Sequence, residues 1–292
     1  MLFLLPPSET KLDGGSGMSG LDLAALSFPE LGHIRRDVTD RLLALSSDRP
    51  AAMSALKLGP RLAGEVDRNR AVESSATMPA LARYTGVLFD PVGADELDEP
   101  SWRWAHRHVV VHSALFGLVR AGDPVPAYRL SHDSRLPGAS LRATWSASVS
   151  SVLAQVVDAG EFVVDLRSEG YVSLGPAPRA GSAFVRVVSD ADGRRRALNH
   201  FNKKSKGLFV RRLLRDRPDL TVLDDLLTWA RSAGIVLEVD GTDIPMSVAA
   251  GVSTVSAPVN SAVIEVSMRS ADTSETICLV GLAFGSVVPS EG

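Results

Sequence analysis

The sequence opens on "MLFLLPPSETK", Met1 to Lys11, in which an unbroken apolar run is followed at once by a polar loop. The apolarity and the length of residues 1–5 are typical of a short buried strand. Two prolines end the run, and residues 6–17 form a loop rich in Pro, Gly and Ser. Loops on a rigid scaffold often carry function, so Ser8 and Lys11 are candidate site residues.

Outward from this strand, helical and strand-like patterns mix along the whole chain. The spacing of apolar residues predicts helices over about 21–45, 47–58, 143–160, 205–217 and 221–234. Ser47 or Asp48 is the expected N-cap of the second helix, with Pro50 near its first turn, and Gly234 is expected just after the last helix. Apolar runs predict strands in "HRHVVVHSALFGLV" and in "EFVVDLRSEGYVSL", the latter running to a functional end at Arg167–Tyr171. A hairpin is expected to turn at Asp192-Gly193.

These patterns follow no regular alternation of strand and helix, and the chain contains no internal repeat. We therefore predict a single compact α+β or mixed α/β domain over residues 1–292, with a mixed sheet and flanking helices. A helix-hairpin-helix element is possible at about 37–75, and a strand-rich C-terminal extension is expected at about 235–292.

The composition excludes several classes of protein. The 292 residues are 45% hydrophobic, which is enough for a sizeable core, and the formal charge is −3. A single cysteine, Cys278, cannot form an intramolecular disulfide, and its apolar neighbours indicate an inert thiol. The start lacks the basic segment of a signal peptide, and no apolar run reaches the roughly 18 residues that span a membrane. We expect a cytoplasmic protein without a membrane partner.

The segment "HFNKKSKGLFVRRLLRD", His200 to Asp216, is strongly basic although the whole protein is slightly acidic. Ten basic residues and one acid lie between Arg194 and Arg217. The spacing predicts a helix that begins near Ser205-Lys206-Gly207, with Arg211 on its polar face. Its expected buried stripe is Phe209, Val210, Leu213 and Leu214. The free N–H groups of a helix N-terminus favour anions, so this segment is a candidate phosphate site. A solvated amphipathic helix beside acidic loops is the alternative.

This segment contains three of the five lysines in the chain, and all three, Lys203, Lys204 and Lys206, lie in a stretch of four residues. Because the chain otherwise uses arginine, the cluster indicates a site that needs compact ammonium groups whose pKa is readily shifted. Lys203 and Lys204 would lie in the turn before the helix and are candidates for both phosphate binding and catalysis.

Two further loops carry candidate residues. "LKLGPRLAGEV", Leu56 to Val66, matches half of a helix-hairpin-helix motif, with Gly59 and Arg61 at the matching positions. Such hairpins present backbone N–H groups to one DNA phosphate; an ordinary connection between helices is the alternative. In the loop "YRLSHDSR", Tyr128 and Arg129 follow an apolar strand, and Arg129 suits a bidentate contact to an anion.

No cofactor or metal site is predicted. His108 and His112 would share a face of a helix, but the valines between them favour a strand, and no Cys or HExxH pattern completes a ligand set. No phosphate-binding P-loop, dinucleotide fingerprint or nucleophile elbow occurs.

Several segments together resemble one family, the peroxide stress proteins called YaaA. The resemblance rests on "PPSETK" after the first strand, Tyr84-Thr85-Gly86, "HSALFGLVRAGDPVPAYRL", "VVDLRSEGYVS" and "HFNKKSKGLFVRRLL". Their order and spacing agree with the family from residue 1 to about residue 215. The lysine of the family's N-terminal motif falls at Glu9, with Lys11 two places on.

The resemblance implies a compact mixed α/β fold with a helix-hairpin-helix element and a positively charged cleft. It also implies binding to double-stranded DNA and a role in limiting peroxide damage by lowering free iron. The positions that match family motifs are Ser8, Lys11, Thr85, Gly86, Ser113, Tyr128, Arg129, Ser168, Tyr171, Lys203, Lys204 and Gly207.

Two functional hypotheses follow. In the first, the protein binds double-stranded DNA through phosphates, without sequence preference and in a salt-dependent manner. In the second, it is an enzyme that acts on a small anionic or nucleobase-like metabolite. Loops that are distant in sequence would then bring Ser8, Lys11, Tyr128, Arg129, Tyr171, Lys203 and Lys204 to one cleft, with a lysine as nucleophile or base, a tyrosine as acid and Arg129 as clamp.

Overall fold

In the computed structural model, the apolar run at the start of the chain forms strand β1, Leu2–Leu5, and all four of its side chains are buried. The structure describes residues 1–15, 20–186, 188–191, 194–196, 199–239, 262–269 and 276–278. Phe3 packs between helices, with its ring centroid 5.9 Å from that of Trp104 and 6.2 Å from that of Phe209. The predicted first strand is therefore a core strand.

The described residues form the mixed α/β architecture that the patterns predict. The other strands are β2 (Met78–Pro79), β3 (Val109–Ser113), β4 (Gly117–Arg120), β5 (Pro124–Val125), β6 (Val163–Asp165), β7 (Ser182–Arg186), β8 (Val188–Ala191), β9 (Arg194–Arg196), β10 (Ile235–Val239), β11 (Ala262–Arg269) and β12 (Thr276–Cys278). The helices are α1 (Gly32–Ser47), α2 (Arg49–Ala55), α3 (Gly64–Arg70), α4 (Ala80–Arg83), α5 (Glu99–His108), α6 (Leu141–Asp158), α7 (Glu169–Val172), α8 (Asn199–Asp216) and α9 (Leu223–Ser232).

Within the described ranges, ten strands belong to one mixed sheet. Its order is β4-β3-β1-β6-β7-β11-β12-β8-β9, and β10 pairs with β11. Strand β1 runs parallel to both of its neighbours, with Leu4 opposite Val110 of β3 and Asp165 of β6. Strand β7 continues the parallel set, whereas β4 is antiparallel to β3. Strands β2 and β5 form a separate antiparallel pair.

Several predicted elements are confirmed. Asp48 caps α2 by accepting a hydrogen bond from the Ala51 N–H, and Pro50 lies in the first turn. Gly234 follows α9 with a φ of 73°, the left-handed conformation that favours glycine after a helix. Strands β8 and β9 pair as a hairpin, with Ala191 opposite Arg194, while the turn itself lies outside the described residues.

Three predicted boundaries are wrong. The helix expected from about residue 21 begins only at Gly32, because Phe28 takes a left-handed φ of 60° and Pro29 starts a separate 3-10 turn. The expected strand end at Arg167–Tyr171 is a turn and the short helix α7, since β6 stops at Asp165. Helix α8 begins at Asn199 rather than near Ser205, so the lysines lie inside it.

Helices α2 and α3 flank the segment that contains Gly59 and Arg61. A 3-10 turn, Pro60–Leu62, lies between them, and both candidate residues are exposed. Lys57 stands where the motif requires its first glycine, and its φ of 56° is left-handed. A helix-hairpin-helix element is not confirmed by this arrangement and stays a prediction.

Candidate functional site at the carboxyl edge of the sheet

Parallel strands β1, β3 and β6 end at the same edge of the sheet, which we call the carboxyl edge. The chain leaves β1 for β3 on one side, and later enters β6 on the other side of β1. In open α/β sheets a crevice forms where connections diverge in this way, outside the carboxyl ends of the strands. The loop Ser8–Lys11, Ser113 and the residues after Asp165 all lie at this edge.

The loop after β1 places Lys11 in a buried group with two phenols and a hydroxyl. We call Lys11, Tyr84, Ser113 and Tyr128 the lysine–tyrosine cluster. Lys11 is 7% exposed, and its Nζ lies 4.1 Å from the centroid of the Tyr128 ring and 5.2 Å from that of Tyr84. Backbone pairing between Lys11 and Tyr84 joins the loop to the end of α4. The structure thus brings Lys11 and Tyr128, two of the candidate residues, into direct contact.

Hydrogen bonds connect the three hydroxyl groups of the cluster. The Ser113 Oγ accepts from the backbone N–H groups of Leu115 and Phe116, at 3.0 and 2.9 Å. Both of its lone pairs are then occupied, so its own hydrogen is donated to the Tyr128 Oη at 2.7 Å. The Tyr128 Oη lies 2.9 Å from the Tyr84 Oη. The three hydroxyl groups have three hydrogens but form only two hydrogen bonds with one another, Ser113–Tyr128 and Tyr128–Tyr84. The hydrogen of one phenol is therefore not used in either bond.

Burial shifts the pKa values of these groups in opposite directions. Desolvation, followed by repulsion from Arg129, lowers the pKa of Lys11 to about 7. Desolvation raises the pKa of Tyr84 to about 12 and also raises the pKa values of Tyr128 and Tyr171 well above the ordinary value of a tyrosine. Near neutral pH the phenols keep their protons, whereas a substantial fraction of Lys11 is the neutral amine.

Arg129 lies beside the cluster, in a position that the buried Asn69 of α3 holds. The Asn69 Oδ1 accepts from the Arg129 N–H at 2.7 Å, and its Nδ2 donates to the Arg129 carbonyl at 2.9 Å. The guanidinium group forms an ion pair with the carboxylate of Glu9, and its side chain is 13% exposed against 60% for Glu9. Nothing in the sequence pattern around Asn69 predicted this contact.

A second buried group lies beneath the same edge. Arg167 is fully buried and donates to both oxygens of Asp165, at 2.8 and 2.6 Å, and to the Nδ1 of His112 at 2.7 Å. The pKa of His112 lies well below its ordinary value because of burial, and then because of Arg167. With Nδ1 as the acceptor, the proton is on Nε2, which has no hydrogen-bond partner among the described residues. In the sequence, the only local signal for this group is an aspartate and an arginine two places apart in an apolar run.

The other candidate residues of the N-terminal half, Ser8, Thr85 and Gly86, lie close together beside the loop after β1. The Ser8 Oγ lies 3.1 Å from the Thr10 Oγ1, which donates to the carbonyl of Thr85. Gly86 has a φ of 97°, and a Cβ there would lie 3.3 Å from the Thr10 Oγ1. Both Thr85 and Gly86 are half-buried.

Ser168 and Tyr171 follow β6. Ser168 is exposed and precedes α7, and its carbonyl accepts from the N–H of Tyr171. Tyr171 is buried and packs edge to face against His132, with ring centroids 5.1 Å apart, and against His112 at 6.0 Å.

The basic helix α8 divides its candidate residues between the interior and the surface. Lys203 and Lys204 are exposed. Lys206 is buried, donates to the Leu166 carbonyl at 2.9 Å, and has its pKa lowered to about 8, chiefly by desolvation. Gly207 packs against the Leu88 carbonyl, and the half-buried Arg211 forms an ion pair with Glu96.

Among the described residues, no group of three or more His, Cys, Asp or Glu side chains is placed to hold a metal ion. The helices that the structure describes include none long and apolar enough to cross a membrane.

Comparisons with known proteins agree on one family. The family model described as "Peroxide stress protein YaaA" matches residues 1–234. The chain is similar to UPF0246 proteins of Corynebacterium efficiens (42% identity, covering 82% of this chain and 96% of the relative) and Corynebacterium glutamicum (40%, 82% and 95%). A UPF0246 protein of Streptomyces coelicolor is 39% identical over 73% of this chain and 83% of the relative. The chain therefore belongs to the peroxide stress protein YaaA family.

Proposed function

We propose that this chain helps to limit peroxide damage by binding the phosphate backbone of double-stranded DNA at the carboxyl edge. The observation that carries the proposal is the position of Lys203 and Lys204. Both are exposed on α8 within one turn of Lys206. The Lys206 ammonium group donates a hydrogen bond to the carbonyl of Leu166, just after β6. Two adjacent ammonium groups on a firmly attached helix suit contacts to phosphate oxygens, which carry no sequence information.

Rigid attachment of α8 supports the proposal further. A Cβ at Gly207 would lie 2.1 Å from the Leu88 carbonyl, so only glycine allows this close approach. Together with the Lys206 hydrogen bond, this packing holds the N-terminal half of α8 at the carboxyl edge. Lysines on a rigid element lose less conformational freedom on binding than lysines in a mobile loop.

The overall charge restricts where DNA would bind. The chain has 31 basic and 34 acidic residues, and 10 of the basic residues but only one acid lie in Arg194–Arg217. The remainder thus carries 21 basic and 33 acidic residues, which repel DNA at long range. Binding should therefore be local, of moderate affinity and strongly weakened by salt.

Fluorescence anisotropy with a short duplex across a salt series tests this proposal. We expect the Lys203→Ala/Lys204→Ala variant to bind more weakly. The plot of its log K against log salt should also be less steep, by about 2, since each phosphate contact adds about 0.9 to the steepness. The matched control is Arg36→Ala/Arg103→Ala, which removes the same charge from exposed positions on α1 and α5. Equal slopes for both double variants, or no binding at low salt, would refute the proposal.

A second candidate function is catalysis on a small anionic or nucleobase-like metabolite. The specific observation is the burial of Lys11 between two phenols, where a duplex cannot reach it. A thermal-shift screen of metabolites tests this candidate. A compound that raises the Tm of the wild type, but not that of the Lys11→Met variant, would support it, and the absence of any such compound would count against it.

A further inference from the structure

We propose that Lys11 is a nucleophilic amine that forms a reversible imine with a small oxo acid, and that a phenol of the lysine–tyrosine cluster supplies the proton to the carbonyl oxygen. This inference rests on the second candidate function and names its substrate class: a small molecule with an aldehyde or ketone next to a carboxylate.

The first observation is that Lys11 has no carboxylate partner within the part of the chain that the structure describes. Its Nζ donates to the backbone carbonyl of Ser8 at 2.9 Å and approaches that of Glu9 at 3.4 Å, while the Glu9 carboxylate is paired with Arg129. The exposed Lys57, in contrast, forms an ion pair with Asp133. A buried ammonium group without a counter-ion is costly, so the environment favours the neutral amine over the charged form.

The second observation is the phenol hydrogen left over in the cluster. Ser113 donates to Tyr128, and a single hydrogen bond joins Tyr128 to Tyr84. With Ser113 as the donor to Tyr128, the phenol that does not donate in the Tyr84–Tyr128 bond has only the Ser113 oxygen, which already accepts two N–H groups, as a nearby acceptor among the residues that the structure describes. Tyr84 is 2% exposed and Tyr128 is fully buried, so neither phenol has ready access to bulk water. A buried donor without an acceptor indicates a place for a ligand oxygen.

Some of the charged groups around Lys11 lower its pKa and others raise it. Burial is the largest effect and lowers its pKa; Arg129 and Arg68 lower it further, and Glu65 and Glu9 raise it. The faces of the two tyrosine rings favour the charged form, as cation–π contacts do. The result, a pKa of about 7, leaves both forms of Lys11 populated at neutral pH.

Arg129 supplies the reason for a carboxylate in the substrate. Its partner Glu9 is 60% exposed and can exchange its ion pair with solvent, whereas the Arg129 backbone is held by Asn69. A substrate carboxylate that replaces Glu9 at Arg129 would place its neighbouring carbonyl group towards Lys11. The same exchange would displace the loop that now covers the amine.

The chemical step balances without an oxidant or a reductant. The lone pair of the neutral Nζ forms a bond to the carbonyl carbon, and the oxygen takes the phenol proton as the π bond breaks. The phenolate then recovers a proton from the nitrogen. Loss of the hydroxyl group as water, with the second nitrogen proton, leaves the carbon–nitrogen double bond.

Reductive trapping with glyoxylate and sodium cyanoborohydride at pH 7.5, read by peptide mass mapping of the full chain, tests the proposal. We expect Lys11 to be alkylated at least tenfold faster than the exposed Lys57, because a pKa of about 7 leaves most of the Lys11 amine neutral at this pH. The Lys11 rate should level off above pH about 7. Tyr84→Phe should slow the trapping of Lys11 and leave that of Lys57 unchanged.

Modification of exposed lysines with Lys11 untouched in the wild type would overturn the proposal, and this result needs no variant to fold. Binding measured without reductant separates the two levels of the inference. Glyoxylate that raises the Tm without trapping Lys11 would overturn the imine alone. Failure of every metabolite to raise the Tm would remove the candidate function on which the imine rests.

Discussion

At the scale of the residue, burial of Lys11 disfavours its charged form, whereas its hydrogen bonds to backbone carbonyls favour that form. Its four-carbon stem extends beneath the loop after β1, and its ammonium group is surrounded by carbonyls and aromatic rings. These neighbours offset only part of the hydration that the charge loses. The free energy of unfolding should therefore depend on the protonation of this residue.

The pH dependence of stability should differ between the wild type and Lys11→Met. The folded-state pKa of Lys11, about 7, lies below the ordinary value of 10.5. Between these values the unfolded chain holds a proton that the folded chain lacks, so this residue makes stability rise with pH by up to about 1.4 kcal/mol per unit. Below pH 7 both states are protonated and the unfavourable contribution is constant. Urea unfolding from pH 6 to pH 9 should show this extra rise in the wild type alone; parallel curves would contradict it.

Arg167 is the other residue whose contacts hold the edge together. It joins Asp165 of β6 to His112 of β3 beneath β1, and all three are buried. Arg167→Met would leave the Asp165 carboxylate buried without its partner, which should cost about 3–5 kcal/mol of unfolding free energy. The exposed pair Arg36–Glu73 provides the control, since Arg36→Met should cost less than about 1 kcal/mol. Equal losses in chemical denaturation would show that burial of the pair is unimportant.

At the scale of elements, helix α8 shows why composition alone does not locate a basic surface. Its apolar residues Phe209, Val210, Leu213 and Leu214 are buried, as the helical spacing predicted. The same helix, however, directs Lys206 inward and leaves Lys203 and Lys204 outside. The lysines of one short stretch therefore have different roles, one in attaching the helix and two in the proposed DNA contact.

Replacing Gly207 by alanine should destabilise the fold although alanine favours helices. The added methyl group would overlap the Leu88 carbonyl, so α8 or the loop after Gly86 must move, at a cost of about 1–3 kcal/mol. The control is Gly64→Ala at the start of α3, where a Cβ would meet nothing within 4 Å. That substitution should be neutral or stabilise by up to about 1 kcal/mol. A stable Gly207→Ala variant in urea unfolding would disprove the close packing.

At the scale of the whole molecule, the C-terminal strands belong to the same sheet as the N-terminal ones. Strand β11 pairs in parallel with β7 on one side and antiparallel with β10 on the other. The family model ends at residue 234, before all three C-terminal strands that the structure describes. The region beyond that match therefore contributes strands to the shared sheet.

Removal of residues 235–292 should make the protein associate with itself. Without β11, strand β7 would become an edge with unpaired N–H and C=O groups, which pair readily with another chain. Light scattering at several concentrations should show a growing mean mass for the truncated chain. Adding Ser182→Lys to that truncated chain should reduce the growth, because a charge on an edge strand disfavours pairing. If the mean mass of the truncated chain does not change with concentration, an unpaired β7 does not cause association and the prediction is wrong.

Much of the fold could be predicted from the sequence because its signals are local. The apolar run of β1, the cap at Asp48 and the C-terminal glycine of α9 each depend on a few neighbouring residues. Boundaries failed where a longer-range contact decided the outcome. Helix α8 extends back to Asn199, so that the side chain of Lys206 reaches β6 from inside a helix rather than from its first turn.

The candidate site could be predicted only in part. Lys11, Tyr128 and Arg129 were chosen as loop residues that follow buried strands, and the structure brings them together. Tyr84 and Asn69 were missed as site residues, because Tyr84 bonds Tyr128 and Asn69 bonds Arg129 from positions far away in the sequence. No local pattern distinguishes a tyrosine that bonds a second tyrosine from one that merely packs.

The sequence by itself determined the class of fold, the buried first strand, the concentration of lysines after residue 200 and the family. These properties follow from hydrophobic periodicity, turn residues and composition, which act over a few residues at a time. Only the tertiary structure decided that Lys206 is inside while Lys203 is outside, that Tyr84 meets Tyr128, and that β11 lies against β7. Those outcomes depend on packing between elements that are distant along the chain, and that packing decides which groups lose water and which retain it.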